Sequence, residues 1–118
     1  MRAGDAVGRY GEQVAVEHLL AFGWEVLDRN WRCRHGELDV VARDGRSLVF
    51  VEVKTRRSVV CGHPAEAVTP AKLVRLRQLA AAWLAAHGEH APAVRIDVVA
   101  IVRPASGPAL VDHLRGVA

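Results

Sequence analysis

GELDVVARDGRSLVFVEVKTR, residues 36–56, is two apolar runs about a turn, with Glu37, Asp39, Glu52 and Lys54 set among the valines. Asp44-Gly45 suits the positive backbone angles of a type I′ turn, so the stretch predicts an antiparallel hairpin. With those two residues as the turn, Arg43 faces Arg46, Glu37 faces Glu52, and Asp39 faces Phe50, diagonal to Glu52. Side chains alternate along a strand. Glu37, Asp39, Glu52 and Lys54 then share one face, and Leu38, Val40, Val49, Val51 and Val53 share the other. The charged face turns apolar toward the turn, at Val41, Leu48 and Phe50, which predicts that helices or other chain cover both faces. A three-residue turn would instead send Asp39 and Glu52 to opposite faces.

Opposed like charges destabilise a strand pair, and partly buried carboxylates are costly without positive compensation. Lys54 alone cannot balance three acids. A divalent cation held by Asp39 and Glu52 would, and hard oxygen ligands suit Mg²⁺ or Mn²⁺. The competing reading is a solvated edge hairpin whose surface ion pairs are worth less than about 1 kcal/mol.

Working outward, Asp5 is positioned to cap a first helix that runs to about Phe22 and stops at Gly23. Val7, Gly11, Val14, Ala15, Leu19 and Phe22 give it an apolar stripe. Gly8 and Gly11 each cost about 1 kcal/mol against alanine there, which points to a close approach to the sheet or to a frayed first turn. WEVLDRNWR, residues 24–32, predicts a strand, followed by a short basic loop at Cys33, Arg34 and His35. Beyond the hairpin, residues 58–68 show no sustained period and are expected to be irregular and mobile. Thr69 and Pro70 open a second helix that ends near Gly88, with Leu73, Leu76, Ala80, Trp83, Leu84 and His87 in its stripe. Residues 94–102 form a β-branched strand, and residues 109–114 a weaker last one. The strand–helix–strand unit over residues 47–102 predicts a right-handed crossover and two parallel strands. The expected order is αβββαββ, an α/β fold with a mixed central sheet flanked by helices.

The 118 residues fit one domain, 1–118, with half of them apolar and a quarter charged, as in ordinary globular proteins. No apolar run approaches the roughly 18 residues of a membrane span, and the start carries no apolar leader, so a cytoplasmic protein with no membrane partner is expected. A formal charge of +3 and a pI near 9.4 are compatible with a nucleic-acid partner. Cys33 and Cys61 are too few for a disulfide framework. Two C-x-H pairs, Cys33/His35 and Cys61/His63, raise zinc, but their spacing is not that of a finger or ribbon. Arg95 and Asp97 fall on one face as a structural charge pair, and Trp24, Trp31 and Trp83 are expected in or beside the core.

GELDVVA followed by FVEVKTR resembles the PD-(D/E)xK nuclease signature, with Asp39 and then Glu52-Val53-Lys54. Gly8, Gly11, Glu12, Ala15 and Leu19 in the first helix, Gly36-Glu37-x-Asp39, Lys72, and Arg95-x-Asp97-Val98 together resemble the YraN family, also called UPF0102. The likeness covers nearly the whole chain. It implies a restriction-endonuclease-like core of a helix, three strands, a helix and a strand, similar to archaeal Holliday junction resolvases. It also implies a metal site of Asp39 and Glu52 with Glu12 as an additional carboxylate. Leu38 stands where the classical motif has proline, a position that varies across the superfamily.

On that basis a Mg²⁺- or Mn²⁺-dependent endonuclease acting on DNA, branched or damaged, is the leading expectation. Asp39, Glu52 and the carbonyl of Val53 would hold the metal, and Lys54 would position or deprotonate the attacking water. Glu37 is a secondary site residue. Arg56, Arg57, Lys72 and Arg75 are candidates for phosphate contacts, and symmetric cutting of two strands makes a homodimer an expectation. The alternatives are a non-catalytic nucleic-acid- or partner-binding module on the same fold, and a nuclease acting on RNA.

Overall fold

The computed structural model describes residues 3–58 and 62–118. Five strands form one sheet in the order β1-β2-β3-β4-β5, with a helix on each face. α1 (Ala3–Ala21) precedes β1 (Glu25–Cys33), β2 (Gly36–Asp44) and β3 (Ser47–Arg56). A short 3₁₀ turn (Pro64–Ala67), α2 (Pro70–His87), β4 (Ala93–Val102) and β5 (Leu110–Leu114) follow. All neighbours are antiparallel except β3 and β4, which run parallel across the α2 connection as expected. The αβββαββ order therefore holds, with one 3₁₀ turn added in the stretch expected to be irregular.

The helices begin and end where local chemistry directs. Thr69 Oγ1 accepts the Lys72 N–H at 3.2 Å, Pro70 opens α2, and Gly88 leaves it at φ 60°. Asp5 falls inside the first turn of α1 rather than before it, and its side chain lies outside the described residues. α1 buries Ala15, Val16 and Leu19 against Val40, Val49, Val51, Val99 and Ile101. Phe22, expected in that stripe, is exposed at 53% and meets His18 and Trp24 at the surface. α2 buries Leu76, Leu79, Ala80 and Trp83 against Leu38, Val41, Leu48, Phe50 and Ile96. Both faces of the hairpin are thus covered.

The hairpin register differs from the expected one by a step. Asp44 pairs with Ser47, so Gly45-Arg46 form the loop, and Gly45 alone takes a positive φ, 58°, which excludes type I′. Asp44 stays in the strand because Arg95 holds its carboxylate at 3.3 Å. The loop stays even, Val51 now stands opposite Val40, and Asp39 and Glu52 come just past the end of the ladder, where with Glu37 and Lys54 they line one cavity. Leu38 also departs from the expected pattern, packing on the α2 side. The β2–β3 ladder ends at Val40↔Val51, and beyond it β2 follows β1, with which it pairs as far as Cys33↔Gly36. Freed from β3, this end of β2 breaks the alternation.

Arg95 grips the buried Asp97 with two nitrogens, at 2.8 and 3.0 Å, confirming a structural pair. His113 Nε2 and the Gly116 N–H complete the set around that carboxylate at 2.8 and 3.0 Å. Trp24 and Trp83 are core residues and Trp31 is half-buried beside them. Cys61, and with it the four-ligand zinc idea, lies outside the described residues; His63 caps the 3₁₀ turn and meets Asp112 at 3.3 Å.

Candidate metal and nucleic-acid site

The site begins where β2 and β3 separate. β3 continues along β4 as far as Arg56↔Val102 while β2 has left it, so a cleft opens between the strands. The Val53 N–H at this opening is satisfied by Asp39 Oδ2 at 2.8 Å. Asp39 therefore closes a broken ladder with a side chain.

Around it lies a cavity of about 330 Å³ lined by Glu12, Glu37, Asp39, Glu52, Lys54 and Lys72. α1 supplies Glu12, β2 supplies Glu37 and Asp39, β3 supplies Glu52 and Lys54, and α2 supplies Lys72. One carboxylate oxygen from each of Glu12, Glu37 and Asp39 lies within 4.8 Å of the others. Glu52, only 5% exposed, adjoins this trio through its contact with Asp39. Its Oε2 is 3.0 Å from Lys72 Nζ, an ion pair without hydrogen-bond alignment, and this buried oxygen has no hydrogen-bond partner.

The electrostatics record the crowding. Burial, and then the neighbouring Glu52, push Asp39 up to about 9, against the opposing pull of the Val53 N–H. Burial also raises Glu12, with a hydrogen bond from Asn30 acting the other way. Lys54 is lowered by its contact with Lys72 and by burial. Lys72 is raised: burial alone would lower it, but the contacts with Lys54 and Glu52 outweigh that. A cation bound here would displace the proton that Asp39 retains.

A divalent cation fits this chemistry. The donors are hard carboxylate oxygens converging from three elements, and the buried Glu52 Oε2, paired with Lys72 but without an aligned hydrogen bond, keeps lone pairs free for a cation. Glu37, secondary in the sequence, stands in the tightest trio, although Arg32 also pairs with it from the outside.

Asp39, Glu52, Lys54, Val53 and Glu12 are thus brought together, as is Glu37. Of the candidate phosphate contacts, Lys72 and Arg75 line the same cavity, with Lys72 engaged on Glu52. Arg56 and Arg57 are exposed at the end of β3 and border the adjoining hollow instead. Asn30 was missed. It sits at φ 54°, a left-handed angle that asparagine tolerates, beyond a bulge between Val26 and Asp28, and its side chain bonds Glu12. Asn-Trp within the largely polar β1 gives no local sign of that partner.

The chain is a mixed α/β protein with a carboxylate and lysine cavity at a strand separation. It belongs to the family described as "Uncharacterised protein family UPF0102", whose model matches residues 11–101. It is 66% identical over 117 residues to a UPF0102 protein of Beutenbergia cavernae, covering 99% of each chain. A UPF0102 protein of Kineococcus radiotolerans is 64% identical over 118 residues, covering 99% of this chain and 97% of its own. One of Streptomyces griseus is 53% identical over 118 residues, covering 99% of each.

Proposed function

We propose that the protein is a metal-dependent endonuclease of the restriction-endonuclease-like class, hydrolysing phosphodiester bonds in DNA. The observation that carries this reading is the convergence of Asp39, Glu52 and Lys54, the spaced residues of the PD-(D/E)xK pattern, on one cavity with Glu12 and Lys72. The order helix, three strands, helix, strand, with β3 and β4 parallel, supports the same class. A pure binding surface has no use for four clustered acids that repel phosphate.

Asp39, Glu52 and Glu12 would hold Mg²⁺ or Mn²⁺, with Glu37 and the Val53 carbonyl beside them. Bound there, the ion would supply Lewis-acid polarisation of a phosphoryl oxygen and acidify a water molecule. Lys54 Nζ, lowered by Lys72 and burial, orients the attacking water and takes up its proton. Lys72 and Arg75 offset charge on the phosphoryl oxygens. The water oxygen joins phosphorus, the ester P–O bond breaks, and the leaving oxygen is protonated from solvent.

The test is cleavage of end-labelled single-stranded, duplex, flap and four-way-junction DNA, with RNA controls, in Mg²⁺, Mn²⁺ or EDTA. Metal-dependent cutting by the wild type should fall at least about a hundredfold in Asp39→Asn and Lys54→Ala. Equal cutting by the variants, or binding with no cutting of any substrate, would sink the reading. Symmetric cutting of two strands would require a second copy, which light scattering of the substrate complex would detect.

A further inference from the structure

Gly8 is a glycine without a packing reason. Inside a helix it costs about 1 kcal/mol against alanine. Gly11, three residues on, has its cause: a Cβ there would lie 1.7 Å from Thr55 Oγ1, so α1 rests directly on β3. A Cβ on Gly8 would meet nothing within 4 Å, and its φ is not positive. The glycine leaves open space, and that space has neighbours.

Gly8 borders the carboxylate cavity and also an adjoining hollow of about 430 Å³ lined by Val53, Lys54, Thr55, Arg56 and Arg57. Arg57 in turn borders a third, of about 460 Å³, with Arg103, Pro104 and Ala105. The three share their boundary residues and make one run from the acids to Arg103. Its charge changes along the way: four carboxylates line the first hollow, and among the described residues no acid lines the other two. Arg103 is held in place. Its N–H donates to the Arg56 carbonyl at 2.8 Å, and its guanidinium lies 4.6 Å over the Tyr10 ring of α1.

We infer that one polynucleotide strand leaves the carboxylate centre over Gly8 and is held beyond it by Arg56, Arg57 and Arg103. This rests on the nuclease reading and adds a direction and a clearance to it. The recognised chemistry is a sugar–phosphate backbone, whose regular negative charge matches the arginines and which needs the room a side chain at position 8 would take. The strand belongs either to a duplex or to an unpaired extension of one.

The experiment uses Asp39→Asn as the parent, in Mg²⁺, so that substrate stays intact. Fluorescence anisotropy follows a labelled duplex, with and without a single-stranded extension, across a salt series. Gly8→Ala should melt no lower than the parent, and Gly8→Leu should weaken binding about tenfold, equivalent to about 1.4 kcal/mol. Arg103→Ala should weaken it several-fold and reduce the salt slope by about 0.7–0.9. Losses confined to the extended substrate would assign the run to an unpaired strand; equal losses on both would assign it to a strand of the duplex. If Gly8→Leu lowers the melting temperature, Arg103→Ala decides. Unchanged affinity and slope in both variants would overturn the path while leaving the nuclease reading intact, whereas a parent that binds neither substrate would overturn both.

Discussion

Asp39 does two things that pull against each other. Its Oδ2 closes the open ladder at Val53, while burial and Glu52 hold its pKa at about 9. A carboxyl raised in this way stabilises the fold fully below its unfolded pKa and loses that contribution as pH rises through the folded value. In EDTA at pH 8–9, Asp39→Asn should therefore melt several degrees above wild type, with a smaller gap at pH 4, as measured by calorimetry. Mg²⁺ should raise the wild type and leave the variant behind. Lys72 is the counterpart: Lys72→Ala leaves Glu52 buried without its cation and should cost about 1–3 kcal/mol in urea unfolding, most of it recovered in Lys72→Ala with Glu52→Gln. The cavity acids on the hairpin were legible in the sequence because charged residues stood out at matching distances from the turn in two valine runs, although Asp39 reaches Glu52 and Lys54 past the end of the ladder rather than by strict alternation. Asn30 was not, because its left-handed angle and its reach to Glu12 depend on a bulge that no nearby residue announces.

At the scale of elements, the hairpin shows which details a local motif leaves open. Asp-Gly marks the turn, but whether Asp44 belongs to the loop or to the strand is decided by Arg95, fifty-one positions away. The parity survived and the pairing partner did not. Gly45→Ala should cost about 1–2 kcal/mol, because an L residue resists φ 58°, and equilibrium unfolding in urea would measure it. The last strand depends on a different device. Asp97 is held below the usual carboxylate range: burial pushes it up, but His113, Arg95 and the Gly116 N–H outweigh burial. That stability is present above the unfolded pKa and is lost as pH falls through the folded one. His18, lowered by burial, His113 and Arg115, acts in the same direction below its ordinary 6.5. In the Asp39→Asn background, where the opposing contribution of that carboxyl is absent, melting temperature should fall as pH drops from 7 toward 3, and adding Asp97→Asn should flatten the lower part of that curve.

For the whole molecule, the sheet separates two apolar layers, and the carboxylate cavity lies where α1, α2 and the parting strands all reach it. Layering was legible because the valine runs are apolar on both faces and each helix carries a stripe of its own. The face switch at Leu38 was not, since it follows from β2 leaving β3 for β1, a competition between two neighbours. No helix is long and apolar enough to cross a membrane among the described residues. The layers also differ optically. Trp24 lies in the α1 layer under the guanidinium groups of Arg95 and Arg115, whereas Trp83 lies in the α2 layer, stacked on His87 at 4.1 Å and bonded to Asp28. Each indole is an emitter native to one side of the sheet, so with Trp31 replaced, single-tryptophan versions would let fluorescence report whether the two sides melt together or in turn.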